Sequence, residues 1–112
     1  MEATFEVTEF NEEDFTDLCD TAGYCIGYWA TKATLTKDYY HVFEEGEAQP
    51  VSISREHMMQ TINKIISGQL QVSESLRRNV RYAFGVSDIG DLDGYDVDAI
   101  IQLCIFGEVI YA

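Results

Sequence analysis

Apolar residues recur at helical spacing in four segments of the chain, and each segment begins at a residue that suits a helix N-cap. The clearest repeat runs from Met58 to Ile66, after Ser54 and before Gly68. The spacing predicts helices over 11–22, 54–67, 73–84 and 94–106, with the N-caps Asn11, Ser54, Ser73 and Asp93.

Between the first two helices the pattern changes to an alternation that is rich in aromatic and β-branched residues. It predicts strands over Tyr24–Leu35, Tyr39–Glu44 and Val51–Ile53, the first apolar on both faces and therefore covered on both. Residues 3–8 suit a short strand or an extended lead-in, and 109–111 a closing strand. We expect one compact α+β domain over residues 1–112, with a small antiparallel sheet of three to four strands packed against three to four helices.

Charge divides the chain into three blocks. All seven Lys and Arg residues lie between positions 32 and 81, whereas residues 1–31 carry eight acids and residues 82–112 carry six. The formal charge of −13 is therefore distributed as −8, +1 and −6. A compact domain can bring both anionic ends onto one face, which disfavours direct binding to nucleic acid and favours a basic partner.

The predicted partner-binding surface combines acids of both end blocks with aromatic anchors. Tyr and Trp are favoured anchors at protein interfaces. We expect the surface to contain Glu12, Glu13, Asp14, Asp17, Asp20, Asp88, Asp91 and Asp93, with Trp29 and Tyr40 exposed as anchors. Some of these acidic residues also have a local explanation. Glu12–Asp14 suit the start of one helix, and Asp93, Asp96 and Asp98 suit the start of another.

No catalytic residue, metal site or cofactor is predicted. The acids around 91–102 do not match a calcium loop, since Asp96 stands where the loop needs glycine and Gln102 where it needs glutamate. Neither His41 nor His57 belongs to a zinc pattern or a nucleophile motif. Three cysteines without CxxC spacing, no apolar stretch of membrane-spanning length and no signal peptide indicate a cytoplasmic protein.

Arg77, Arg78 and Arg81 form the one cationic cluster of the sequence. Guanidinium groups match phosphate oxygens, so this cluster could contact a phosphate or nucleotide. The alternative is that the arginines pair with Glu74 and with the anionic end segments across the fold. The first interpretation requires a cavity and exposed arginines, and the second does not.

Three short segments carry a resemblance to known proteins. The run Asp96-Val-Asp-Ala-Ile-Ile-Gln102, the run Phe106-Gly-Glu-Val-Ile-Tyr111 and Gly27-Tyr-Trp-Ala30 together resemble small acidic proteins encoded by bacteriophages. Ala112 departs from the glycine expected after the final tyrosine. The resemblance implies a phage or prophage origin and supplies no catalytic residues; by analogy, many such proteins inhibit restriction or CRISPR systems, some by imitating DNA.

The leading hypothesis is a non-enzymatic phage protein that binds and inhibits a host nucleic-acid-processing or defence complex in the host cytoplasm through its acidic surface. One alternative is a small-ligand binder that sequesters a nucleotide through Arg77, Arg78 and Arg81. Another is a structural or assembly component of the phage, which would self-associate, for instance as a homodimer.

Overall fold

The computed structural model describes residues 5–112. These residues fold into four α-helices and a three-stranded antiparallel sheet. The helices are α1 (Glu12–Gly23), α2 (Arg55–Ser67), α3 (Glu74–Gly85) and α4 (Gly94–Phe106), with a 3₁₀ turn at Ile89–Asp91. The strands are β1 (Ala30–Leu35), β2 (Tyr39–Glu44) and β3 (Val51–Ser54). The radius of gyration, 13.2 Å, is that of a single compact chain of this length. The predicted α+β class is confirmed.

Each predicted N-cap forms. The Asn11 side chain accepts from the Asp14 backbone N–H at 2.8 Å, and the Asp14 carboxylate accepts in return from the Asn11 N–H. Asp93 and Asp96 repeat this reciprocal arrangement at α4, while serine hydroxyls cap α2 and α3. These bonds satisfy backbone donors that a helix start leaves open, so they set where the helices begin.

Helix α4 is the centre of the domain. It packs against α1, α2, α3 and β3, and it is apolar around most of its circumference. Such a helix is buried along most of its length, and in α4 Tyr95 of the first turn is exposed. Its buried residues include two acids and one amide, Asp96, Asp98 and Gln102. Buried polar groups require hydrogen-bond partners, and those partners organise the site described below.

The sheet is the predicted meander, in the order β1-β2-β3. Leu35, Tyr40 and Ile53 are neighbours across it and lie on the face that meets the helices. His41 pairs with Thr34 and Ser52 on the opposite face, where Thr34, Tyr39 and Ser52 are exposed. The sheet is therefore packed on one side, and the prediction that its first strand is covered on both faces is wrong.

The segment 24–29 is a turn, whereas the alternation predicted a strand. The N–H groups of Cys25 and Ile26 donate to the Ala22 carbonyl, and those of Trp29 and Ala30 donate to the Ile26 carbonyl. The chain thus continues to coil after α1. Ile26 and Trp29 point into the core because a spacing of three returns to the same side of a coil.

Side-chain amides bind the backbone of both end segments, for which the sequence predicted short strands. Residues 109–111 form no strand; Gln102 binds their backbone instead. At the other end, Asn63 accepts from the Val7 N–H at 2.6 Å and donates to the Val7 carbonyl at 2.9 Å. Residues 5–8 are extended without strand pairing, and the earlier part of the predicted lead-in lies outside the described residues.

Candidate functional site

An acidic surface forms where α1 packs against the 3₁₀ turn. Asp14, Asp17 and Asp20 recur at intervals of three on α1, and with Asp88 they line one groove. A second groove shares Asp14 and Asp88 and adds Glu6 and Glu9. We call these six residues the acidic surface. None of the described residues that line either groove is Lys or Arg. The fold therefore places five carboxylates of the N-terminal block and one of the C-terminal block, that of Asp88, on one face.

The remaining predicted acids are exposed but do not line these grooves. Glu12 and Glu13 lie in the first turn of α1, where the helix dipole favours anions. Asp91 accepts a hydrogen bond from the Ser87 hydroxyl, and Asp93 caps α4. Of the predicted acids, only Asp14, Asp17, Asp20 and Asp88 share the acidic surface.

Trp29 and Tyr40 are buried, so the prediction that they are exposed anchors is wrong. Trp29 is 1% exposed and Tyr40 is 3% exposed. The Trp29 ring stacks on Tyr111, with centroids 5.3 Å apart and planes within 6°. The Tyr40 hydroxyl has no hydrogen-bond partner within residues 5–112, and burial raises its pKa. The exposed aromatic side chains of residues 5–112 are others: Phe5, Tyr24, Tyr28, Tyr39, Tyr82 and Tyr95.

A hydrogen-bond network centred on Asp98 lies beside the acidic surface. One carboxylate oxygen accepts from the Trp29 indole N–H at 2.8 Å and from the Gln102 amide at 2.9 Å. The other accepts from the Tyr28 hydroxyl at 2.5 Å. Asp98 is thus a buried acid that joins α4 to the turn before β1. It is the fifth residue of α4, and its carboxylate binds this network rather than the backbone N–H groups at the helix start.

Gln102 extends the network to the C-terminal segment. Its carbonyl oxygen accepts from the N–H groups of Ile110 and Tyr111 at 2.9 and 2.8 Å, and its amide donates to the Tyr111 carbonyl at 3.1 Å. The Tyr111 hydroxyl donates to Glu44 at the end of β2. The segments 27–30, 96–102 and 106–111 therefore meet at one place.

Of the three arginines, Arg77 lines a cavity that Arg78 and Arg81 do not line. Arg77 donates from Nε to the Ile66 carbonyl at 3.4 Å, and its guanidinium lies against Gly68 at the end of α2. The cavity that Arg77 lines also contains the carboxylates of Glu74, Asp96 and Glu108. Among the described residues lining it, Arg77 is the one cation, so a phosphate there would meet mainly negative charge.

The other chemically versatile side chains are dispersed. His41 bonds to Ser52 at 2.7 Å on the outer face of the sheet, whereas His57 lies in the first turn of α2. The three cysteines are free thiols, and burial raises the pKa of the Cys104 thiol to about 12. Within residues 5–112 no group of three or more His, Cys, Asp or Glu could hold a metal ion.

Tyr28 provides a measurable signature of the network. Loss of solvent around its hydroxyl, followed by the bond to Asp98, raises its pKa from 10.0 to about 12. The neutral phenol therefore stabilises the fold fully below pH 10, and this contribution disappears as the pH rises towards 12. We expect the stability difference between wild type and Tyr28→Phe to shrink over that range, as measured by urea unfolding.

The same substitution also isolates the titration of the Tyr28 hydroxyl. The difference in tyrosinate absorbance at 295 nm between wild type and Tyr28→Phe should have its midpoint near pH 12 rather than near 10. A midpoint near 10 would contradict the bond between Tyr28 and Asp98.

Comparison of the chain with protein-family models, with curated proteins and with solved structures gives no match. No helix within residues 5–112 is both long enough and apolar enough to cross a membrane. The functional argument therefore rests on the geometry and charge of the chain itself.

Sequence reasoning overlooked Tyr95, Tyr111, Asp98 and Gln102 as site residues. Gln102 was visible as a polar residue inside the apolar run 100–105, which indicates a buried amide with specific partners. Asp98 had a weaker signal, because its indole and phenol donors lie 69 and 70 positions away in the sequence.

Proposed function

We propose that this chain is a non-enzymatic, phage-encoded protein that binds a basic cleft of a host nucleic-acid-processing or defence complex and inhibits it. The observation that carries the proposal is the acidic surface. Carboxylates from both ends of the sequence lie together, and no cation lines the two grooves among the described residues. A cleft that binds phosphates presents the complementary charge.

The charge distribution favours a protein partner over nucleic acid. The net charge of −13 repels phosphates at long range and attracts a basic surface, which raises the association rate at low salt. Occupation of the cleft by the acidic surface would exclude nucleic acid by competition. Inhibition then requires no chemistry, only affinity and correct placement of the carboxylates.

The test is reversal of charge on the acidic surface without disturbing a helix cap. The variant Glu9→Lys/Asp17→Lys/Asp20→Lys leaves the cap residues Asp14, Asp88 and Asp93 in place. The matched control, Asp38→Lys/Glu45→Lys/Glu47→Lys, changes exposed acids around the sheet and alters the net charge by the same amount. Both variants should fold, as checked by circular dichroism and thermal unfolding.

We expect wild type and control to retain the same basic host complex from lysate, as identified by mass spectrometry, and to inhibit it. Duplex DNA and increasing salt should displace the complex. The acidic-surface variant should bind it roughly 100-fold more weakly, because like charges would then face each other. Equal weakening by both variants would mean that net charge alone acts, and unchanged binding by the acidic-surface variant would refute the proposal.

A further inference from the structure

A cavity of about 760 Å³ lies between the start of α4, the turn before β1 and the C-terminal segment. Three tyrosines, Tyr28, Tyr95 and Tyr111, provide its aromatic walls, and Val109 adds apolar surface. Tyr95 is 87% exposed and Tyr28 is 51% exposed, so solvent reaches the rim. Aromatic walls around an open cavity are typical of sites that bind a flat or cationic group.

The carboxylates of the cavity are those of Asp98 and Asp93. Asp98 is 8% exposed. The side chains that donate hydrogen bonds to it, those of Trp29, Gln102 and Tyr28, are all neutral. Among residues 5–112, one of its oxygens accepts only from the Tyr28 hydroxyl, and a carboxylate oxygen can accept a second hydrogen bond. None of the described residues lining the cavity is Lys or Arg. A buried carboxylate that faces a cavity without a cation is complementary to a positively charged ligand.

The cavity lies next to the acidic surface at the end of α1. Thr21 and Val97 line one of the acidic grooves, and their neighbours Cys25 and Asp98 line the cavity. The Cys25 thiol donates to the Thr21 carbonyl at 3.1 Å, which connects the two along the end of α1. A basic partner seated on the acidic surface would therefore have side chains within reach of the cavity.

We infer that the cavity receives an arginine side chain of the basic partner; this inference rests on the proposed function for the source of the arginine. A guanidinium group is planar, stacks on tyrosine rings and donates from several N–H groups to carboxylate oxygens. Tyr95 and Tyr28 would bracket the plane, and Asp98 and Asp93 would accept the hydrogen bonds. The arginine would thus anchor the partner at one defined point, while the acidic surface supplies long-range attraction.

The binding of a small probe tests the cavity without the partner. The probe is the tripeptide acetyl-Gly-Arg-Gly-amide, and its control contains citrulline, which keeps the shape of arginine and lacks its charge. In NMR titrations of the full chain, the arginine peptide should shift signals of Tyr28, Tyr95 and the Gln102 amide, with a dissociation constant of about 1–10 mM. The citrulline peptide should bind at least about tenfold more weakly, because it lacks the charge-assisted bonds.

Two substitutions separate a site from general attraction. Tyr95→Ala should weaken the binding of the arginine peptide by roughly two- to fivefold, the effect of losing an exposed cation–π contact. Tyr24→Ala is the matched control, since Tyr24 is 93% exposed and does not line the cavity. Asp98→Asn should abolish the preference for arginine over citrulline in protein that remains folded by its Trp29 fluorescence.

Equal binding of the two peptides, shifts confined to Asp17 and Asp88, or no effect of Tyr95→Ala would each overturn the inference. These outcomes leave the proposed function intact, because they concern the cavity alone. If instead the cavity binds arginine selectively but the acidic-surface variant still retains the host complex, the proposed function falls and the cavity stands.

Discussion

Trp29→Ala is expected to lower the free energy of unfolding by about 3–5 kcal/mol, the usual cost of removing a fully buried indole. The ring packs with Phe106 and Tyr111 in one aromatic cluster and connects the turn before β1 to α4. Its loss also leaves the buried Asp98 carboxylate without its indole donor. Because domains of this size are stable by about 5–15 kcal/mol, the variant should be partly unfolded at 37 °C. Urea unfolding followed by circular dichroism measures the change.

Trp29→Phe is the informative companion. It retains an aromatic ring and removes the N–H group, so its cost should be clearly smaller than that of Trp29→Ala. Tyr24→Ala controls for loss of an aromatic ring at an exposed position and should change stability by less than about 0.5 kcal/mol. A cost below about 1 kcal/mol for Trp29→Ala would mean that the indole does not occupy the core position described above.

Gln102→Leu is expected to cost about 2–4 kcal/mol, because it removes the partner of several buried or partly buried polar groups at once. The N–H groups of Ile110 and Tyr111 lose their acceptor, and Asp98 loses the Gln102 amide as a donor. The substitution keeps a side chain of similar volume, so packing changes little. We expect the C-terminal segment to leave Trp29, with faster amide exchange at Ile110 and Tyr111 and altered Trp29 fluorescence.

Gln60→Leu is the matched control, since it makes the same change on the exposed face of α2. It should leave both amide exchange and stability within about 0.5 kcal/mol of wild type. If Gln102→Leu behaved like Gln60→Leu, the amide would not hold the C-terminal segment. Loss of this segment would also remove Tyr111 from the wall of the cavity, so the variant should bind the arginine peptide more weakly.

The buried network has a consequence for the proposed function. Asp98 and Gln102 order a segment that forms no regular secondary structure, and that segment forms one wall of the cavity. A cavity held by buried hydrogen bonds loses less conformational entropy when it binds a ligand. The same residues therefore determine stability and the shape of the proposed arginine site.

The sequence alone predicted the features that depend on neighbours along the chain. Helical periodicity and the N-caps Asn11, Ser54, Ser73 and Asp93 located all four described helices, because capping bonds span only three residues. The meander followed from short connections between β1, β2 and β3. The sequence also contains the separation of charge into blocks, which predicts a basic partner.

Tertiary structure decided where each block faces and which polar residues are buried. The alternation of residues 24–29 is compatible with a strand or a coil, and packing of Ile26 and Trp29 against the core selected the coil. The C-terminal segment found its partner in the Gln102 side chain rather than in a strand. Trp29 and Tyr40 became core residues because burial of large rings stabilises the fold more than their exposure would. The bonds from Trp29 and Tyr28 to Asp98 join residues 69 and 70 positions apart, and no local pattern contains such contacts.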